Sequence, residues 1–149
     1  MKESFSKKEV FELWHLLAMT IETMRKARKK ELAEHGIVPR RAAVVDTIVK
    51  LGGKAKPGDI SRMLLRESHS VHEILRRMEK DGLLKKINDP HRKNGVLVEL
   101  TEKGFNAYHL LKKRKSLHRI MSSLSRSKRE QLKSDLMLLL ENAKNEILE

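Results

Sequence analysis

Apolar side chains recur at helical spacing near both ends of the chain. The N-terminal stripe follows steps of four and three and consists of Val10, Trp14, Leu17, Ile21 and Met24. This spacing predicts one long helix from about Ser6 to Glu34, which Gly36 and Pro39 then stop. A similar pattern predicts a final helix that opens near Ser125 or Ser127. Its apolar positions are Leu132, Leu136, Leu139, Ala143 and Ile147.

The middle of the chain predicts three shorter helices. The second helix should run from about Arg40 to Leu51, and the third should begin at Pro57, a residue that suits a first helical turn. The fourth helix should run from about Ser68 to Asp81, with Gly82 just past its end. Its inner face is predicted to carry Val71, Ile74, Leu75 and Met78.

Two short segments with β-forming residues follow the fourth helix. They are Leu83 to Ile87 and Val96 to Leu100, and the loop between them contains Asp89-Pro90 and Asn94-Gly95. These turn signals predict a two-stranded hairpin. A further helix is expected from Thr101, as its cap, to about Leu124.

The predicted fold is mainly α with a small β-hairpin. A short helix, a turn, a helix with a basic outer face and a hairpin with a basic tip form the layout of a winged helix-turn-helix. The 149 residues suit a single domain, with the winged-helix region at 39–104 and long helices in 1–38 and 105–149. A small central region cannot cover both terminal stripes, so we expect these helices to pack against a second copy. The predicted dimer interface contains Val10, Trp14, Leu17, Ile21, Leu132, Leu136, Leu139 and Ala143.

The charge balance favours an anionic partner. Lys and Arg outnumber Asp and Glu by 33 to 20, a formal net charge of +13. Residues 39–104 carry 15 basic and 9 acidic side chains, so the positive charge is concentrated around the predicted hairpin. Double-stranded DNA is therefore the first expected partner, and an acidic membrane surface is the second.

The fourth helix presents the candidate DNA-binding residues on the face opposite its core stripe. They are Ser68, His69, Ser70, His72, Glu73, Arg76, Arg77 and Lys80. A helix fits the major groove, where residues near its N-terminus usually reach base edges. We therefore expect groove contacts from Ser70, His72 and Arg76. Arg77 and Lys80 are expected nearer the DNA backbone, and a solvated helix face is the alternative.

Glu73 is unusual at such a position, because a carboxylate facing DNA is costly unless it meets a cytosine amino group. Ser70-Val71-His72-Glu73 also matches the S-x-x-E capping box, in which the carboxylate accepts a hydrogen bond from a backbone N–H. We favour this capping interpretation.

The loop of the hairpin carries a second set of candidate DNA contacts. They are His91, Arg92, Lys93 and Asn94. A cation at the end of a two-stranded arm is suited to the minor groove, whose narrow A·T-rich parts have a deep negative potential. The alternative is a charged, solvated turn.

Several other function classes are excluded or disfavoured. The chain has no cysteine, which excludes disulfides, thiol redox sensing and thiolate zinc sites. His69, His72 and Glu73 lack the partner motif that a metal site needs, so we expect no metal and no cofactor. No motif of an enzyme active site is present. Neither a membrane span nor an apolar signal-peptide core is apparent, so we expect a cytoplasmic protein without membrane contact.

The residues around the hairpin resemble the MarR family of winged-helix transcriptional regulators. The segments that match the family pattern are Met78-Glu-Lys-Asp-Gly-Leu-Leu84, Asn88-Asp-Pro90 and Leu100-Thr-Glu-Lys-Gly104. The resemblance implies a homodimer with interlocked terminal helices that binds inverted-repeat operators. It also implies a repressor relieved by a small-molecule effector held between the dimer and reader regions. Arg92-Lys93-Asn94 replaces the Asp-Arg-Arg of the family wing, and Glu73 stands where the family often has arginine.

The predicted function is therefore sequence-specific binding of double-stranded DNA by a homodimeric transcriptional repressor on a pseudo-palindromic operator. The alternative is an architectural or weakly specific DNA-binding protein, because the high positive charge permits both.

Overall fold

Residues 5–148 are described by a computed structural model and form seven α-helices and three β-strands. Residues 1–4 and 149, at the outer ends of the predicted dimerisation segments, lie outside the described part. The helices are α1 (Lys7–Ala33), α2 (Pro39–Lys50), α3 (Pro57–Leu64), α4 (Ser68–Lys80), α5 (Glu102–Leu111), α6 (Lys115–Met121) and α7 (Arg126–Leu148). The strands are β1 (Lys54–Ala55), β2 (Leu84–Asn88) and β3 (Val96–Leu100). The predicted fold class, mainly α with a winged helix-turn-helix, is confirmed.

Capping groups explain where several helices begin. The Ser6 hydroxyl accepts a hydrogen bond from the Glu9 N–H at 3.1 Å, and the Thr101 hydroxyl accepts one from the Gly104 N–H at 3.2 Å. The Ser125 hydroxyl accepts from the Lys128 N–H at 3.3 Å before α7. Each contact satisfies one backbone donor that the first helical turn leaves unpaired. The sequence predictions for these helix starts are confirmed.

The β-sheet has one strand more than predicted. β3 lies between β2 and β1, and both pairings are antiparallel. β1 has only two residues, Lys54 and Ala55, which pair with Glu99 and Val98. Such a short segment carries no recognisable alternation of apolar and polar residues, so it was missed. The hairpin itself is confirmed, with β2 displaced by one residue from the predicted Leu83 to Ile87.

The single predicted helix from Thr101 to Leu124 is wrong. α5 ends at Leu111 and α6 begins at Lys115, because Arg114 adopts a left-handed backbone conformation with φ 42°. Its guanidinium donates a hydrogen bond to the half-buried Asp46 carboxylate of α2 at 2.9 Å. A non-glycine residue in this region interrupts a right-handed helix, and the ion pair offsets part of its cost.

The chain divides after Arg114 into two compact units, residues 1–114 and 115–149. The first unit contains the hydrophobic core, in which α2, α3, α4 and α5 pack with the sheet. The side chains that are almost wholly buried include Leu32, Val44, Val45, Ile48, Ile60, Val71, Leu75, Met78, Leu84, Val98 and Leu111. The second unit consists of α6 and α7, and none of the described residues of α7 is buried. None of the helices in residues 5–148 has the length and apolar character that a membrane span requires.

Gly104 sets the approach of α5 to the start of the hairpin. It is buried in the first turn of α5, and a Cβ at this position would overlap the carbonyl oxygen of Leu83. That carbonyl accepts a hydrogen bond from the Thr101 N–H at 3.1 Å, so it has little freedom to move. The glycine of the Leu-Thr-Glu-Lys-Gly motif is therefore required by close backbone packing.

Gly104→Ala should lower the free energy of unfolding by about 1–3 kcal/mol, because the overlap with Leu83 outweighs the better helix propensity of alanine. Urea unfolding at one fixed protein concentration measures this loss. Gly58→Ala is the matched control, since its Cβ would lie 3.7 Å from an Arg62 nitrogen, an ordinary contact. Equal stabilities of the two variants would contradict the packing account.

Candidate nucleic-acid interface

The connection between α3 and α4 is a tight helical turn. Leu65 follows α3 in the left-handed conformation with φ 51°. The Arg66 N–H donates to the Ser61 carbonyl at 3.1 Å and closes the turn. α4 begins two residues later at Ser68. This geometry orients α4 relative to α3 as in a helix-turn-helix.

The orientation of α4 is fixed by one apolar stripe. Val71, Leu75 and Met78 are each 0–1% exposed, and Ile74 is half-buried beside them. Since the stripe recurs at helical spacing, the opposite face of α4 must point to solvent. The exposed candidates on that face are Ser68, His69, His72, Glu73, Arg76, Arg77 and Lys80. Ser70 is half-buried at the edge of the face.

Glu73 forms the centre of a charged cluster on this face. Its carboxylate accepts two hydrogen bonds from Arg76, at 3.0 and 3.2 Å, and one from Arg77 at 2.9 Å. The proposed capping role of Glu73 is wrong, because α4 begins at Ser68 and places Ser70 inside the first turn. The carboxylate instead neutralises part of the charge of two arginines that face solvent.

The cluster changes the acid–base properties of its members. Hydrogen bonds from Arg76 and then Arg77 hold the pKa of the Glu73 carboxyl below its usual range. The same contact with Glu73 raises the pKa of the Arg76 guanidinium. Glu73 therefore stays ionised to a lower pH than an isolated glutamate would.

The two histidines of α4 do not assemble a metal site with their neighbours. His69 Nδ1 lies 3.3 Å from a carboxylate oxygen of Glu67, and both side chains are exposed. In the described part of the chain, no three His, Asp or Glu side chains come close enough together to hold a metal ion.

The wing is closed around Asp89. The buried Asp89 carboxylate accepts a hydrogen bond from the His91 N–H at 2.9 Å, and the Asp89 backbone N–H donates to the Gly95 carbonyl at the same distance. Asn94 adopts a left-handed conformation with φ 59°. Arg92 packs over Gly95, where a Cβ would lie 3.0 Å from the Arg92 Cβ. The tip is thus ordered by a local turn, without the Asp-Arg-Arg sequence of the family wing.

The four predicted wing residues, His91, Arg92, Lys93 and Asn94, are all exposed. They lie beyond the last strand pair, Asn88 with Val96. Arg92 and Lys93 therefore present two positive charges at the end of a short arm. This is the arrangement on which the groove-contact prediction depends, and it leaves both side chains free to meet a ligand.

All residues of the predicted dimer interface except Leu132 are exposed within the single chain. On α1, Trp14 is 67% exposed, and Val10, Leu17 and Ile21 are also exposed. On α7, Leu136, Leu139 and Ala143 are exposed and Leu132 is half-buried. Both helices thus carry apolar surface that the chain itself does not cover, far more than scattered apolar residues would give.

Sequence reasoning missed two basic residues beside α4. Arg40, in the first turn of α2, and Arg66, in the turn before α4, line a cavity of about 440 Å³ together with His69, Ser70 and Arg77. A basic residue within two positions of a helix start is the sequence signal that could have identified them. The neighbouring Arg41 has a structural role, because it pairs with Asp81 at 2.6 Å.

Comparison with known families and proteins agrees with this geometry. The family described as "Winged helix DNA-binding domain" matches residues 37–104. The uncharacterized HTH-type transcriptional regulator YkoM of Bacillus subtilis (strain 168) is 30% identical over 140 residues, which cover 89% of this chain and 88% of YkoM.

Solved structures extend the likeness over most of the chain. The organohalide-sensing transcriptional regulator RdhR-CbdbA1625 in its 2,4-dichlorophenol-bound form is 28% identical, with a TM-score of 0.74, and the match covers 95% of this chain and 88% of that one. A mutant MarR from E. coli complexed with operator DNA is 19% identical, with a TM-score of 0.80, over 92% of this chain and 99% of that one. At this lower identity the likeness concerns the fold.

Removing Arg76 should raise the pKa of Glu73, since Arg76 is the main cause of its depression. The contact is complete above the usual pKa of a glutamate and is lost as the pH falls through the lowered value. An NMR titration of the Glu73 side-chain carboxyl should therefore show a higher pKa in Arg76→Gln than in the unmodified protein.

Lys80→Gln is the matched control, because it removes one positive charge from the same helix without removing a hydrogen bond to Glu73. Equal shifts in the two variants would mean that the Glu73–Arg76 contact does not form in solution.

Proposed function

Because this chain belongs to the HTH-type transcriptional regulators, as its 30% identical relative shows, and has the fold of MarR, we propose that it binds a specific duplex DNA sequence as a homodimer. The observation that carries this proposal is the exposed polar and basic face of α4 beside the basic wing tip. In this proposal α4 enters the major groove, and the wing reaches the adjacent minor groove.

The contacts of α4 divide into two kinds in this proposal. Ser68, His69, Ser70 and His72, near the N-terminus of the helix, face base edges. Arg77 and Lys80 neutralise phosphates. Arg76 contacts the groove, and Glu73 is its neighbour rather than a base contact, since its oxygens already accept hydrogen bonds from Arg76 and Arg77.

The wing contacts are proposed on the same grounds. Arg92 and Lys93 supply the charge, and His91 and Asn94 flank them at the tip. Such contacts add affinity and salt dependence, because each neutralised phosphate releases condensed counterions.

Dimerisation is supported by the uncovered apolar faces of α1 and α7. We propose that residues 1–38 and 105–149 supply the dimer contacts and residues 39–104 the DNA contacts. Val10, Trp14, Leu17 and Ile21 on α1 would then be buried against the partner, as would Leu132, Leu136, Leu139 and Ala143 on α7. Two copies related by a two-fold axis read a pseudo-palindrome whose half-sites are about one DNA turn apart, ~34 Å.

We also propose that the regulator represses transcription and that a small organic ligand relieves this repression. The support is a 28% identical regulator named as organohalide-sensing and solved with bound 2,4-dichlorophenol. A ligand that binds the DNA-free conformation more tightly shifts the population away from the operator complex.

Titration against DNA from the region upstream of its own gene, beside a scrambled duplex of the same composition, tests the proposal. Specific sites are typically bound about 10³–10⁷-fold more tightly than non-specific DNA at physiological salt. We expect tight, saturable binding to the upstream duplex, with an affinity at least about 10³-fold higher than for the scrambled duplex.

If no upstream or other promoter fragment is bound more tightly than the scrambled duplex, sequence-specific regulation is contradicted. The alternative, an architectural or weakly specific DNA-binding protein, would then account for the basic surface.

A further inference from the structure

Positive charge continues from α4 across α2 to the C-terminal half of α1. A second cavity, of about 450 Å³, lies between α1 and α2 and shares Arg40 and Arg66 with the cavity beside α4. Its other basic lining residues, Arg25, Lys26, Arg28 and Lys29, come from α1. The basic surface therefore reaches beyond residues 37–104, the part that matches the winged-helix domain.

Only some of these cations form ion pairs or hydrogen bonds within the chain. Arg28 is largely buried, pairs with Glu31 at 3.0 Å and donates to the Leu111 carbonyl at the same distance, so it holds the fold together. Arg25 lies 3.9 Å from Glu22, a weak exposed pair. These two arginines have partners within the chain.

Four exposed cations remain, and we call them the α1–α2 basic strip. They are Lys26, Lys29, Arg40 and Arg66. Among the residues that the structure describes, no carboxylate lies within 4.0 Å of any of them. Lys26 and Lys29 lie three positions apart on α1 and so share one face of that helix. Unpaired like charges side by side repel one another, and an extended anion would relieve this repulsion.

We propose that the α1–α2 basic strip binds the phosphate backbone of DNA beyond the base pairs that α4 and the wing read. This inference rests on the proposed function and enlarges its binding surface. The strip adjoins α4 through Arg40 and Arg66, and in this proposal a duplex seated on α4 continues along it. A DNA strand carries many phosphates along its length, so it can meet several separated cations at once, which a single small anion cannot do.

The exposure of the strip also argues against an enclosed anion site. All four side chains are exposed, and they come from three separate parts of the chain: α1, α2 and the turn before α4. A small anion would lack the buried polar partners that hold such a ligand, whereas phosphate contacts of DNA are usually made by exposed Lys and Arg.

Lys26→Gln with Lys29→Gln tests the proposal, because both side chains are exposed and unpaired and the change should leave the fold intact. The slope of log Kobs against log salt is negative, and its magnitude should decrease by about 2 per protomer. Each lost phosphate contact accounts for roughly 0.9 of this decrease. Between 50 and 200 mM salt, two contacts correspond to a change in affinity of about 10-fold per protomer. The ratio of operator to scrambled binding should stay the same, because phosphate contacts carry no sequence information.

Lys112→Gln with Lys113→Gln is the matched control, since it removes the same charge from exposed residues just after α5 and outside the strip. A strip variant with the same salt slope as this control would overturn the proposal. An unchanged DNA slope with lost binding to phosphatidylglycerol vesicles would overturn it too, and would assign the strip to a lipid surface.

The two proposals fail in different ways. Loss of discrimination between operator and scrambled DNA in the unmodified protein contradicts sequence-specific regulation. The difference in salt slope between the strip variant and its control can still be measured with the operator or with the scrambled duplex, and it tests the phosphate contacts of the strip in both cases.

Discussion

The burial of one apolar stripe of α4 against the core determines which side chains of that helix face solvent. Val71, Leu75 and Met78 are withdrawn from water, and rotation of the helix by even one residue would expose some of them and bury charge. The solvent-facing side of α4 is therefore a consequence of the core. Its neighbours are positioned by the same core, because the Arg66 turn precedes α4 and the hairpin follows it directly.

The size of that core also limits what one chain can cover. The wholly buried apolar side chains lie between Leu32 and Leu111, whereas the apolar residues of α1 before that point and of α7 remain in contact with water. Removing apolar surface from water is favourable by about 25 cal/mol per Å², so covering these residues with a partner would stabilise the complex. In the proposed dimer a second copy of the chain covers this surface, and pairing brings two reading helices together.

Much of the fold could be predicted from the sequence because its signals are local. Periodic apolar residues located the helices, Thr101 and Ser125 marked two helix starts, and Asp89-Pro90 with Asn94-Gly95 marked the wing. The misses all depend on contacts distant in sequence or on competing side chains. Arg114 interrupts a helix and pairs with Asp46, which is distant in sequence. β1 is a strand only because it pairs with β3. The Glu73 carboxylate accepts hydrogen bonds from Arg76 and Arg77 and does not cap the helix. Arg40 and Arg66 gain significance only when the fold places them beside α4.

We propose that two copies of the chain read one duplex, and the mass of the protein–DNA complex shows whether they do. Sedimentation of the complex with the upstream duplex, at protein concentrations above and below saturation, gives that mass. Since one chain has a mass of 17.3 kDa, we expect two chains on each duplex and no stable complex with one. A complex that contains one chain per duplex at every concentration would contradict it.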